Sequence, residues 1–202
     1  MNLYKFHSEP ESMKHYEFHC DNVVRVFWDT HKNNPDELKK REKAIAKNPM
    51  YAYLYAREIL HSRFPLGEEA IAKDPNYAYY YARNALRDHF PLGEKAIAKD
   101  PRYAYYYANG ILHRRFPLGE KAIAKDPQHA YYYANGILHR RFPLGEEEIA
   151  KDPMYAYHYA KDVLHDRFPL GEESIVKNIY YTRLYAKNII KGPWTINGKT
   201  YE

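Results

Sequence analysis

The sequence predicts an all-α fold: an α-solenoid of tandem short-long helical hairpins, with a helical N-terminal cap and a small C-terminal β-hairpin. A repeated turn, a repeated core and helical spacing between them predict it. The turn opens on Phe64, Phe90, Phe116, Phe142 and Phe168, each followed by Pro-Leu-Gly-Glu, a period of 26 residues. An Ile-Ala-Lys core keeps the same period from Ile45 through Ile71, Ile97, Ile123 and Ile149, with Ile175-Val176-Lys177 as a worn sixth copy. A fixed period of this length overrides the domain count that 202 residues would suggest, because stacked repeats form one continuous body.

Residues 1–43 do not fit the repeat and are expected to form a divergent N-terminal helical cap, which a stack needs because its terminal unit has one face without a neighbour. Ser8 before Glu9-Pro10 and Asp21 before Asn22-Val23-Val24 both have the chemistry of a helix start, since a side-chain oxygen there accepts from free first-turn amides. Asn34-Pro35-Asp36-Glu37 begins another helix that runs toward Ile45.

Residues 44–190 are expected to stack as five to six repeats. In each, Asp-Pro places a capping carboxylate before a proline whose missing N–H is harmless at the first helical position, as at Asp74-Pro75. The long helix is expected to run from Pro75 to about His89, because the residue before Pro91 is excluded from helical geometry. Pro91 opens a short helix, carried by Glu94 to Lys99 and stopped by Asp100-Pro101.

Helical spacing sorts the long helix into faces. Ala78, Tyr81, Ala82, Ala85 and Leu86 form the core stripe, and every copy agrees at Tyr81 and Ala82, from Tyr55-Ala56 to Tyr185-Ala186. Small alanines let helices approach and tyrosines fill the space beside them. Tyr77 and Tyr79 flank the stripe and should touch neighbouring repeats. At about 100° per residue, Tyr80, Arg83, Asn84 and Arg87 point outward. These positions also vary among copies: Leu54, Tyr80, Tyr106, Tyr132, His158 and Leu184 at one, Glu58, Asn84, Gly110, Gly136, Asp162 and Asn188 at another.

In residues 191–202, Gly192-Pro193 breaks the last helix. Trp194 to Tyr201 has a hairpin pattern, with Asn197-Gly198 supplying the positive φ angles of its turn. A lone hairpin is marginal in water, so Trp194 or Tyr201 must anchor it on the last repeat.

Composition bounds the function. The formal charge is +5, but residues 1–43 balance eight basic against eight acidic side chains and residues 177–202 carry five basic and one acidic, leaving the repeat body nearly neutral. A broad nucleic-acid footprint needs clustered Lys and Arg on one face, so it is not expected. A single cysteine, Cys20, allows no intrachain disulfide. No apolar leader is evident and no segment approaches the ~20 apolar residues of a membrane span, so a soluble cytoplasmic protein is expected.

The Phe-Pro-x-Gly-Glu turn with its Ile-Ala-Lys-Asp-Pro-x-Tyr-Ala-Tyr-x-Tyr-Ala core resembles the short tandem helical units of proteins from tailed bacteriophages and some bacteria. That resemblance covers residues 44–190 and implies a phage or prophage accessory protein, acting in the host cytoplasm on a host or phage protein. It implies no catalytic residue. More distantly, the Tyr/Ala/Leu spacing is similar to protein-binding tetratricopeptide and Sel1-type repeats.

The two central repeats place glycine inside the long helix, at Gly110 and Gly136, where glycine costs about 1 kcal/mol relative to alanine. Either a partner's backbone approaches there, or a duplication copied one tolerated residue. His113-Arg114-Arg115 and His139-Arg140-Arg141 suit phosphates or an acidic partner, but cations in a helix's last turn also answer its dipole. His61, His113, His139 and His165 recur once per repeat, too far apart to share a metal. His15 and His19 beside Cys20 have zinc-compatible spacing but lack a second pair.

Nucleophile–base, phosphate-loop and paired-carboxylate signatures are absent, so a non-enzymatic scaffold without cofactor or metal is expected. Its partner-binding face comprises Tyr80, Tyr106, Asn109, Gly110, His113, Arg114, Tyr132, Asn135, Gly136, His139 and Arg140. A protein is the expected partner, and single-stranded RNA or DNA stacked on the tyrosine row is the alternative. No membrane partner is expected. Self-association end to end and a small anionic ligand between repeats stay open.

Overall fold

A computed structural model describes residues 34–201. The cap helices expected at Ser8 and Asp21, and the group His15, His19 and Cys20, lie outside the described residues. The chain divides into two compact units, Met1–Lys43 and Ala44–Glu202. In the described part of the first, Asn34-Pro35 opens the helix Pro35–Lys40; a turn at Arg41 interrupts it before Glu42–Ile45.

The second unit repeats one hairpin. Six long helices occupy 49–60, 75–86, 101–112, 127–138, 153–164 and 179–190. Asn48, Asp74, Asp100, Asp126, Asp152 and Asn178 cap them; the Asp74 carboxylate, for example, accepts from the N–H groups of Asn76 at 2.9 Å and Tyr77 at 3.1 Å. Between them, Pro65–Gly67, Pro91–Gly93, Pro117–Gly119 and Pro143–Gly145 are 3₁₀ turns that lead into the short helices Glu68–Ile71, Glu94–Ile97, Glu120–Ile123 and Glu146–Lys151. In the last copy the whole of Pro169–Ile175 is α-helical.

Each long helix begins as α and passes midway into π geometry, as Pro101–Tyr107 does into Ala108–Leu112. It then stops on a left-handed residue: His61, Arg87, His113, His139, His165 or Lys191, all with φ of 49–60°. The His113 N–H bonds back to the Ala108 carbonyl, and the Arg114 N–H reaches the same oxygen at 3.3 Å. The second long helix therefore ends at Leu86 rather than His89, because this cap reverses the chain before Pro91 exerts its restriction. His113-Arg114-Arg115 consequently lies just beyond the helix and not in its last turn. Neither period nor propensity signals a π segment.

The turn glycine is a packing requirement. A Cβ on Gly93 would sit 2.5 Å from Phe90 Cδ1 and 2.8 Å from Ala78 Cβ, so the turn presses directly on the long helix. Tyr55, Tyr81, Tyr107, Tyr133, Tyr159 and Tyr185 are fully buried beside their alanines. Each of the first five packs on the following phenylalanine, Tyr81 on Phe90 with centroids 5.0 Å apart. At the end of the stack Trp194 takes that place, 26 residues after Phe168 and 4.9 Å from Tyr185. Trp194 is buried whereas Tyr201 is half-buried, so the tryptophan anchors the hairpin. The strands β1 (Trp194–Ile196) and β2 (Lys199–Tyr201) pair antiparallel, and Asn197 and Gly198 both take positive φ between them.

The inner tyrosines are wired as well as packed. Tyr133 accepts from the Phe116 N–H at 2.8 Å and donates to Glu120 Oε1 at 3.1 Å, while Arg115 grips the same carboxylate with two nitrogens. The set recurs as Arg63, Glu68 and Tyr81, as Arg141, Glu146 and Tyr159, and as Arg167, Glu172 and Tyr185. The first-turn glutamates thus do more than answer a helix dipole, and the Arg115 hydrogen bond is the chief cause holding the Glu120 carboxyl below the usual range. One copy departs: His89 stands at the arginine position and pairs with Asp88, leaving Glu94 half-buried with Tyr107 as its donor at 3.1 Å. His89→Arg is expected to restore the fork and raise the thermal midpoint by about 2 °C, small because such guanidinium groups are mostly exposed. A lower midpoint by calorimetry would refute that assignment.

Candidate partner-binding face

The outward face of the long helices is a continuous ladder of rings. Flanking positions of adjacent repeats meet: Tyr53 with Tyr77 at 6.1 Å, Tyr79 with Tyr103 at 5.5 Å, Tyr105 with His129 at 5.6 Å, Tyr131 with Tyr155 and Tyr157 with Tyr181 both at 5.9 Å. The expected outward row Tyr80, Tyr106, Tyr132 lies over these joints, half-buried and extended by His158. Each row member reaches back to the preceding repeat: Tyr80 to Tyr53, Tyr106 to Tyr79 and Tyr132 to Tyr105, all at 6.2 Å. Each also touches the tyrosine before it in its own helix, Tyr106 and Tyr105 lying 5.5 Å apart.

Geometry limits what this face does. The rings tilt against one another, with interplanar angles of 32–37° across repeats in Tyr79–Tyr103, Tyr79–Tyr106 and Tyr105–Tyr132. They present an interlocked surface, not a row of separated faces waiting for bases. Burial also pushes the Tyr79, Tyr105 and Tyr106 phenols up, Tyr105 to about 12, so these three are neutral hydrogen-bonding groups at physiological pH.

Of the expected residues, Tyr106, Asn109 and Gly110 share one helix, as do Tyr132, Asn135 and Gly136. Asn109, Gly110 and Gly136 are exposed, and Asn135 is half-buried with its amide 3.5 Å from the Tyr131 hydroxyl. A Cβ on either glycine would meet nothing within 4 Å. His113 and His139 are exposed at the left-handed caps, and Arg114 and Arg140 follow them, exposed, in the reversing turn. Arg115 and Arg141 are committed to Glu120 and Glu146, which removes one cation from each expected basic cluster.

Two features escape sequence reasoning. The flanking positions touch neighbouring repeats as expected, but the sequence does not show that Tyr53, Tyr79 and Tyr105 also meet the outward row of the next repeat at Tyr80, Tyr106 and Tyr132. Leu66, Leu92, Leu118, Leu144 and Leu170 form a second periodic row, each 54–59% exposed. Its signal is leucine unchanged in five copies at a position stacking does not need, hidden because α-helical geometry cannot orient the four that lie in 3₁₀ turns.

These repeats and their ringed face define a helical-repeat protein built from tandem 26-residue units. No family model, curated protein or solved structure matches the chain. Among the described residues no helix is long and apolar enough to cross a membrane, and no cluster of His, Cys, Asp and Glu has the makings of a metal site.

Proposed function

We propose that the chain is a non-enzymatic protein-binding scaffold that engages its partner through the ringed face centred on Tyr106 and Tyr132. The observation that carries this reading is the unbroken ladder from Tyr53 to Tyr181, whose rings are already ordered against one another. A partner then gains aromatic contact area without freezing those side chains, which is how preorganised tyrosine surfaces bind. The exposed leucine row adds apolar area of the kind that marks protein interfaces. A phage or prophage origin, a host or phage protein as partner and a cytoplasmic location complete the proposal, and they rest on the resemblance of the repeat motif.

The test is capture of partners from bacterial lysate at low salt, with and without nuclease. A stoichiometric protein that survives nuclease and binds Tyr106→Ala/Tyr132→Ala at least tenfold more weakly, with the helical signal intact, is the expected result. Unchanged affinity in that variant would sink the placement. The second reading, single-stranded nucleic acid, draws on the shallow depression lined by Arg183, Lys187 and Lys191 at the C-terminal end. It requires recovery of nucleic acid from the untreated half alone and a steep loss of binding with salt.

A further inference from the structure

The joints of the ladder are closed by a hydrogen bond that the two glycines remove. Asn84 Nδ2 donates to the Tyr53 hydroxyl, the Tyr131 hydroxyl donates to Asp162 Oδ2, and Asn188 Nδ2 donates to the Tyr157 hydroxyl, each at 2.8 Å. In all three the two residues are 31 apart in sequence. Applied to the central joints, the same register pairs Tyr79 with Gly110 and Tyr105 with Gly136, where no side chain is present to close them.

The consequences are visible at both phenols. Tyr79 is 4% exposed, and its hydroxyl has a long 3.5 Å contact from Arg83 Nη1 of its own helix, which leaves its proton to donate. Tyr105 is half-buried whereas Tyr53, Tyr79, Tyr131 and Tyr157 are all buried, and among the described residues no side chain hydrogen-bonds its hydroxyl. Open space lies over both glycines. Two adjacent open notches, at Gly110 and Gly136, therefore stand where the other joints carry a side chain that closes them by a hydrogen bond.

We propose that these notches form a groove for a proline-rich segment in the polyproline II conformation, whose carbonyls accept from the Tyr79 and Tyr105 hydroxyls. This rests on the protein-binding reading above and names the chemistry of the partner. The Tyr106 ring packs against both phenols, its centroid 6.2 Å from that of Tyr79 and 5.5 Å from that of Tyr105. Packed helices stand about 8–10 Å apart. One turn of polyproline II, three residues, advances about 9 Å and presents carbonyls with no internal partner. An extended strand repeats at about 7 Å and falls out of step. The wall between the notches is aromatic, as in other grooves that take proline rings, and proline brings no N–H that would need an acceptor there. The interlocked rings disfavour a single-stranded nucleic acid, which needs free ring faces.

The test is amide NMR titration of the full chain with decaproline, and with a ten-residue Gly-Ser peptide and decauridine as comparators. Decaproline is expected to move the amide signals of Asn109, Gly110, Asn135 and Gly136 selectively and saturably. In Gly110→Asn/Gly136→Asn, built on the Asn84 and Asn188 joints, affinity should fall at least tenfold while the fold persists. Tyr79→Phe/Tyr105→Phe should weaken binding with both glycines intact. No movement of those amides at millimolar decaproline, equal affinity in the asparagine variant, or preference for decauridine or the Gly-Ser peptide would overturn the proposal. If the lysate partner still needs Tyr106 and Tyr132 while decaproline fails, the scaffold reading stands and this groove does not.

Discussion

Raising the pH through 10 is expected to unfold the repeat stack in a single steep transition. Tyr81, Tyr107, Tyr133, Tyr159 and Tyr185 all titrate well above the ordinary phenol range, chiefly because burial disfavours the phenolate and, after that, because each faces a glutamate, with the neighbouring turn N–H opposing the shift. The folded state then retains protons that the unfolded chain releases. Stability is complete below about pH 10 and falls as pH rises, by up to about 1.4 kcal/mol per tyrosine for each pH unit. Phenolate absorbance and far-UV circular dichroism followed together provide the check. The exposed phenols should ionise first with helix content unchanged, and the inner set should ionise only as the helical signal collapses. Ionisation of all 23 tyrosines with the helix intact would show that the inner network does not hold the repeats together.

Two glycines nine residues apart are expected to respond to alanine with opposite signs. At Gly119 a Cβ would stand 2.7 Å from both Ala104 Cβ and Phe116 Cδ1. Neither neighbour is the far end of a flexible chain, so the turn must lift off the long helix. Gly119→Ala should lose about 1–3 kcal/mol in urea unfolding, the range for overpacking. At Gly110 a Cβ meets open space and the helix gains propensity, so Gly110→Ala should gain about 0.5–1 kcal/mol. A destabilised Gly110→Ala would mean that this glycine serves the π segment, and a tolerated Gly119→Ala that the turn is looser than its contacts imply.

That pair also shows where sequence reasoning reaches. Gly110 and Gly136 stand out because each replaces a side chain at a varying position, and the comparison needs only the repeats themselves. Gly119 gives no such signal, since all five turns carry glycine there and its necessity comes from Ala104 and Phe116 closing on it in space. Tyr106 and Tyr132 are found as outward residues by helical geometry. Helical geometry sets the Tyr79 position only as flanking the core and touching a neighbour, because its meeting with the outward ring Tyr106 depends on how one repeat is placed against the next. Glu120 looks like a dipole partner in sequence and becomes the centre of a buried network once Arg115 and Tyr133 converge on it from different elements.

By itself, the sequence determines the repeat, the order of helices and turns, the capping residues, the inner Tyr-Ala stripe and the C-terminal hairpin. All of these follow from local spacing and from chain chemistry within about one helical turn, where the physics is short-range. Only the tertiary structure decides the passage from α to π geometry, the left-handed stop at His113 and its equivalents, the seat of Trp194 at the vacant phenylalanine position, and the joining of two tyrosine sets into one ladder with two open joints. Those depend on the distance and tilt between stacked helices, which many weak contacts set together and which no single stretch of chain encodes.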